Sequence, residues 1–285
     1  MSRPFSLRAG AAIAGVAIAA LALSACQTGG TTEDGTADGP TSEWVTEGKF
    51  TVGTGEPAYF PWVVDDAPES GEGFEAAVAY AVAAELGFAP EDVVWVRTTF
   101  DEAIAPGPKN FDINLQQFSI TDERKEAVDF SSPYYETTQV VITTEGSAAA
   151  SATSLADLKP LLIGAQTGTT SFVTAEEIIA PDAGVQVFNT NEDAKLALES
   201  NQVDAIVVDL PTAFYIAGVE LEGGVIVGQL PDSAGSADAF GLVLPKGSPI
   251  TAKVTAAVDA LRDNGTLADI ETEWLADFAG APVLR

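Results

Sequence analysis

From Lys49 onward, short β-branched runs alternate with runs of helical period, and this restricts the chain to the α/β class. Phe50 to Thr54 reads as a strand. Phe74 to Leu86 reads as a helix, with Phe74, Val78, Val82 and Leu86 at helical spacing and Gly87 as its stop. Strands are predicted at Val93–Val96 and Phe111–Leu115, parted by a short helical piece from Phe100 that Pro106-Gly107-Pro108 ends. Val140–Thr144 is an extended crossing segment, and Ser154-Leu155-Ala156-Asp157 has the form of a capping box. Leu162–Ala165, Gln186–Phe188 and Ala205–Val208 read as strands, with helices from Thr170, Asn191 and Pro211. Phe240–Leu244 is extended again, and two helices separated by Asn264-Gly265 follow. The pattern implies two sheet units of largely parallel strands, with the chain crossing from one to the other and back. There is no tandem repeat.

Composition removes several function classes. The 285 residues contain no histidine, which excludes Ser-His-Asp and Cys-His nucleophile pairs and imidazole zinc sites. One cysteine, Cys26, allows no intramolecular disulfide. A formal net charge of -29, spread along the chain, repels nucleic-acid phosphates and anionic lipid headgroups. No nucleic-acid partner, metal or cofactor is expected.

The N-terminus reads as an export address. Arg3 and Arg8 precede a 15-residue uncharged run, Ala9 to Leu23, of signal-peptide length and short of the roughly 20 residues a membrane span needs. It ends in Leu23-Ser24-Ala25-Cys26, which resembles the lipobox of bacterial lipoproteins. That resemblance implies cleavage after residue 25 and lipidation of Cys26; two or more acyl chains give stable anchoring. An uncleaved anchor helix is the alternative. Gln27 to about Thr46 is Gly-, Thr- and acid-rich and reads as a flexible tether, with a span of roughly 23 Å.

Several motifs carry possible chemistry. Gly53-Thr54-Gly55 follows a strand, but Pro57 and Pro61 prevent the helix a dinucleotide turn must open, so nucleotide binding is not expected. In Ser119-Ile120-Thr121-Asp122-Glu123-Arg124, Thr121 is a helix N-cap and Arg124 lies in the first turn, where the helix dipole disfavours a cation. Arg124 therefore has either a ligand carboxylate as partner or a surface pairing with Glu123 or Asp122. Thr167-Gly168-Thr169-Thr170 joins a strand to a helix, as an anion seat or as an ordinary capped turn. Asp209 ends an apolar strand and either faces a crevice or caps the helix at Pro211. Tyr59, Phe60, Trp62 and Phe100 are aromatics at strand ends, positioned to wall a pocket or to pack the core.

In order, Val52–Trp62, Gly73-Phe74-Glu75, Ser119–Arg124, Val128–Tyr135, Gly168-Thr169-Thr170 and Val203–Asp209 resemble the polar amino-acid substrate-binding proteins of ABC importers, over about Lys49 to Phe278. The resemblance implies a two-lobed periplasmic-binding-protein-like α/β fold with two hinge crossovers, near Gln139–Val141 and Ser236–Phe240. Residues 47–139 plus 239–285 would form one lobe and 140–238 the other. It implies that Arg124, with Ser119 and the Thr170 N–H, clamps a ligand α-carboxylate. Asp209 and the Gln117 carbonyl receive the α-ammonium, and Tyr59 and Phe100 sandwich the side chain. Glu56 would meet a cationic side chain or remain a solvated loop acid. Gln116, Gln117 and Phe118 stand where the family has small residues, and Glu75 where its Gly-Phe-Asp has the acid. The expected protein is an exported, lipid-anchored monomer, not an enzyme, that passes an amino-acid-like zwitterion to an ABC transporter permease. A sensory subunit and a dehydratase on the same scaffold, with Glu56 as its acid or base, are the alternatives.

Overall fold

The computed structural model of the chain describes residues 43–231, 238–276 and 280–285. The expected export signal, Cys26, most of the expected tether, Ser236 of the second expected hinge and Phe278 lie outside the described residues. The chain starts with β1 (Phe50–Thr54), α1 (Phe74–Glu85), β2 (Val93–Arg97), α2 (Phe100–Ile104), β3 (Ile113–Asn114), α3 (Asp122–Ala127) and β4 (Val128–Thr137). It then passes into β5 (Gln139–Thr144), α4 (Leu155–Leu158), β6 (Ile163–Gln166), α5 (Thr170–Thr174), β7 (Gln186–Phe188), α6 (Asn191–Glu199), β8 (Ala205–Asp209), α7 (Leu210–Tyr215) and β9 (Gly224–Gln229). It returns as β10 (Asp238–Pro245), followed by α8 (Thr251–Asp263) and α9 (Thr266–Leu275).

Two five-stranded sheets result, ordered β2-β1-β3-β10-β4 and β7-β6-β8-β5-β9. The parallel strands expected from the alternation are present: β1 pairs in parallel with β2 and β3, and β6 with β7 and β8. Each sheet is nevertheless mixed. The two strands that cross between sheets, β5 and β10, run antiparallel to their neighbours. A crossing strand enters its new sheet without a helical crossover to reverse it, so antiparallel pairing is the geometry open to it. Neither the ten-residue β4 nor β9 is legible as a strand beforehand; β9 begins after Gly223 and has half-exposed residues that give no apolar run.

Both faces of each sheet are covered, and the strand alternation decides which residue serves which face. In β5, Val141 joins one core cluster while Val140 and Ile142 join the other; in β8, Ala205 and Val207 part from Ile206 and Val208 in the same way. In the first sheet Phe240, Leu242 and Leu244 of β10 pack with α1 and α8 residues, whereas Val243 faces Phe111 and Phe118. Each buried Val, Leu, Ile or Phe among them contributes about 1.5–3 kcal/mol. Gly87, at φ 88°, follows α1 as its stop, and Ser154 and Asp157 form the capping box.

The expected assignment of residues 239–285 to the first lobe needs one correction. Val283 bridges Gln229 of β9 in parallel, and Leu284 is buried in the core of the second sheet. The chain end thus covers the open edge of β9, which would otherwise present unpaired backbone groups, and fills an apolar slot.

Candidate functional site

The connections leaving the C-terminal ends of the parallel strands of both sheets converge, where ligands bind in open α/β sheets. They enclose a cleft of about 360 Å³ whose wall includes Glu56, Tyr59, Phe100, Gln116, Gln117 and Arg124 from the first sheet and Thr170 and Asp209 from the second. Residues as far apart as Glu56 and Asp209 in the chain are thus brought to one cavity.

Arg124 is placed by α3. The Thr121 hydroxyl accepts from the Arg124 backbone N–H, as the N-cap reading requires. Its guanidinium is buried, not paired with Glu123 or Asp122. Nη1 donates to the Ser119 carbonyl at 2.8 Å, Nη2 donates to the Gly168 carbonyl at 2.8 Å, and Cζ lies 5.3 Å from the Phe100 ring centroid. The second of these bonds reaches the β6–α5 turn of the other sheet. Thr169 caps α5 and Thr170 opens it. Ser119 is not among the cleft-lining residues; it is buried, and its hydroxyl lies 3.1 Å from the Thr170 hydroxyl. Its contact with Arg124 is made through its carbonyl.

Asp209 occupies the cap position before α7, yet its side chain makes no capping bond. It accepts instead from Gln139 Nε2 at 2.8 Å. Burial and the neighbouring Asp238 carboxylate push its pKa up to about 7, against the Gln139 bond and the Arg124 charge that lower it. A cation brought to this carboxylate would restore its charged form.

Gln117 is held in the left-handed region, at φ 53°. Glu75, buried on α1, holds it there: the Gln117 backbone N–H donates to Oε1 at 2.8 Å and its side-chain Nε2 to Oε2 at 2.5 Å, while the Tyr134 hydroxyl donates to Oε1. Burial raises the Glu75 pKa to about 7, although these hydrogen bonds oppose the shift. Gln116 spends its Nε2 on Thr98 and Asn114 at 2.9 Å each, so its carbonyl oxygen is the group left for a ligand.

The wall bearing Glu56 and Tyr59 is braced from below. Arg97, at the end of β2, donates to the Gly55 carbonyl, to Asp66 Oδ1 and to the Asp66 carbonyl, each at 2.6 Å. Tyr59 is exposed to the cleft, as is Glu56, while Trp62 is a core residue against Phe74, Tyr135 and Phe240. Trp62 also donates from Nε1 to Thr212 Oγ1 at 3.1 Å, and Phe60 meets Tyr215 at 5.3 Å, so this loop touches α7 of the second sheet. Sequence reasoning missed Glu75, Arg97, Thr212 and the Gln139 amide as contributors. The Glu75 signal was its departure from Asp; the others have none, because their partners lie 31 or more residues away.

The bacterial extracellular solute-binding proteins, family 3, match residues 50–277. The L-arginine-binding protein of Pseudomonas aeruginosa is 32% identical over 229 residues, covering 78% of this chain and 86% of that one. The ABC transporter glutamine-binding protein of Bacillus subtilis is 28% identical over 215 residues, covering 74% and 76%. An ancestral amino acid-binding protein, a precursor of cyclohexadienyl dehydratase, superposes with a TM-score of 0.64 at 32% identity, over 81% of this chain and 96% of that one.

Proposed function

We propose, for a chain that belongs to the bacterial extracellular solute-binding proteins of family 3, that the amino acid it captures carries a cationic side chain. Extracellular amino-acid capture is the function of the family; the charge of the ligand is read from the cleft. Its described lining holds one base, Arg124, and three acids, Asp209, Glu56 and Asp101; Glu75 braces Gln117 from behind. An α-carboxylate matches Arg124 and an α-ammonium matches Asp209. That leaves Glu56 and Asp101 on the wall with no cationic side chain besides Arg124 among the described lining residues. A positive ligand side chain satisfies them, and a negative one would be repelled. This surplus of carboxylate over base carries the reading, and the arginine-binding relative supports it.

Arg124 belongs to the first sheet and Asp209 and Thr170 to the second, so a zwitterion touching all three stabilises the closed arrangement over an open one. The loaded protein then serves an ABC importer permease as a monomer, tethered through a lipid on Cys26.

Thermal-shift and calorimetric titration of the purified protein with arginine, lysine, glutamine and glutamate test this. Ligand at 100 times its Kd adds about 2.7 kcal/mol, a shift of several degrees at about 2–4 °C per kcal/mol. Arginine or lysine should give the largest shift. A larger shift with glutamate would overturn the charge reading, and no shift with any zwitterion would overturn amino-acid binding. Chromatography of the recovered ligand should return it unchanged; a dehydrated product would establish the enzyme instead.

A further inference from the structure

The two segments that cross between the sheets meet at one side chain. Gln139 is the first residue of β5 and Asp238 the first of β10, so they stand at the two crossovers. Gln139 is 5% exposed. Its Nε2 donates to Asp238 Oδ2 at 2.6 Å and to Asp209 Oδ1 at 2.8 Å, with the Thr170 hydroxyl at 3.4 Å. An amide nitrogen has two hydrogens, and here both go to carboxylates. The orientation is dictated by chemistry: the flipped amide would set its oxygen against two acids. Among the described residues Gln139 Oε1 has no partner, so nothing favours the flip.

Three consequences follow from this placement. Asp209 has no capping bond, and among the described residues the Gln139 amide is the hydrogen-bond donor that orients its carboxylate. Asp238 and Asp209 are like charges gathered on one nitrogen, so Asp238 raises the cost of ionising Asp209. A ligand ammonium arriving at Asp209 adds the positive charge this cluster lacks and strengthens the bridge to the second crossover.

We propose that Gln139 is a positioning residue that couples occupancy of the ammonium subsite to the hinge, by holding Asp209 and the crossover residue Asp238 on one amide. This rests on reading Asp209 as the ammonium acceptor. The charged and titratable groups facing Asp209 are Asp238 from β10, Arg124 from α3, Glu75 from α1, and Tyr134 and Tyr135 from β4. Of these, Arg124 alone favours the ionised form, and Asp238 is the nearest acid in influence.

The test compares wild type with Asp238→Asn and Gln139→Leu by two measurements. One is the carboxyl 13C titration of Asp209 in the ligand-free protein; the other is arginine affinity as a function of pH. Ammonium binding needs an ionised Asp209, so wild-type affinity falls as pH drops below about 7. Asp238→Asn removes the neighbouring charge and keeps the amide, and should move both the carboxyl midpoint and the fall in affinity to lower pH by about one unit, roughly tenfold in affinity at a pH below both midpoints. Gln139→Leu removes the donor and should move both the other way, with weaker binding at neutral pH. A midpoint unchanged in Asp238→Asn overturns the proposal whether or not Gln139→Leu folds. If arginine and the other zwitterions fail to bind wild type, the ammonium reading of Asp209 fails and the proposal with it, while the ligand-free titration still reports whether the three side chains are coupled.

Discussion

Arg124 Nη2 donates to the carbonyl of Gly168 at 2.8 Å, tying the first sheet's clamp to the turn that opens α5 of the second. The same fork holds the Ser119 carbonyl, so it spans both halves of the cleft. On the proposed reading, closure and carboxylate recognition share one guanidinium.

Arg124→Ala removes two charge-assisted bonds of about 1.5–3 kcal/mol each and should lower amino-acid affinity at least about 100-fold. Arg124→Lys keeps the charge without the planar fork and should restore little of it. Isothermal titration checks both. The ligand-free melting point should drop by only a few degrees, because the two carbonyls lose their donor while the burial cost of the guanidinium charge is relieved.

Burial holds Glu75 and Asp209 at about 7 in the folded protein, against ordinary values of 4.5 and 3.8. Between those limits the folded chain binds more protons than the unfolded chain. The contribution of both groups is therefore fully present below their ordinary pKa values and is lost as pH rises through about 7. The ligand-free protein should melt higher near about pH 5 than near about pH 8 from these two groups, and Glu75→Gln should flatten that difference, as calorimetry at the two pH values will show.

Thr212→Val removes the acceptor of the Trp62 indole while keeping its shape. Loss of a neutral hydrogen bond of about 1 kcal/mol between the two halves of the cleft corresponds to about fivefold weaker ligand binding if binding closes them. Small-angle scattering of the ligand-free variant should show a more open average than wild type; equal profiles would mean that this contact does not set closure.

Glu56→Gln should weaken arginine roughly fivefold, the scale of a solvated ion pair, and leave glutamine unaffected. Equal losses for the two ligands would place Glu56 outside the side-chain subsite.

Cys26→Ser should release the protein from the membrane fraction into the medium without changing arginine affinity. Retention in the membrane fraction would instead favour an uncleaved anchor helix.

Short-range rules decided what the residues alone determine. Alternating β-branched and helical runs specify an α/β chain, because side-chain period follows backbone geometry. The caps Thr121, Thr169 and Ser154 stand where their spacing places them, because a cap bond joins residues three apart in sequence. The ordered motifs also brought Glu56, Tyr59, Phe100, Arg124, Thr170 and Asp209 to notice as one set, and the structure gathers them at one cleft. Tertiary structure alone decided what those groups touch. Asp209 forgoes its local capping bond for an amide 70 residues away, Gln117 takes a positive φ because Glu75 is buried beside it, and the chain end folds back onto β9. Each outcome depends on burial and on partners distant in the chain. Desolvation then sets pKa values and hydrogen-bond choices that no local pattern encodes.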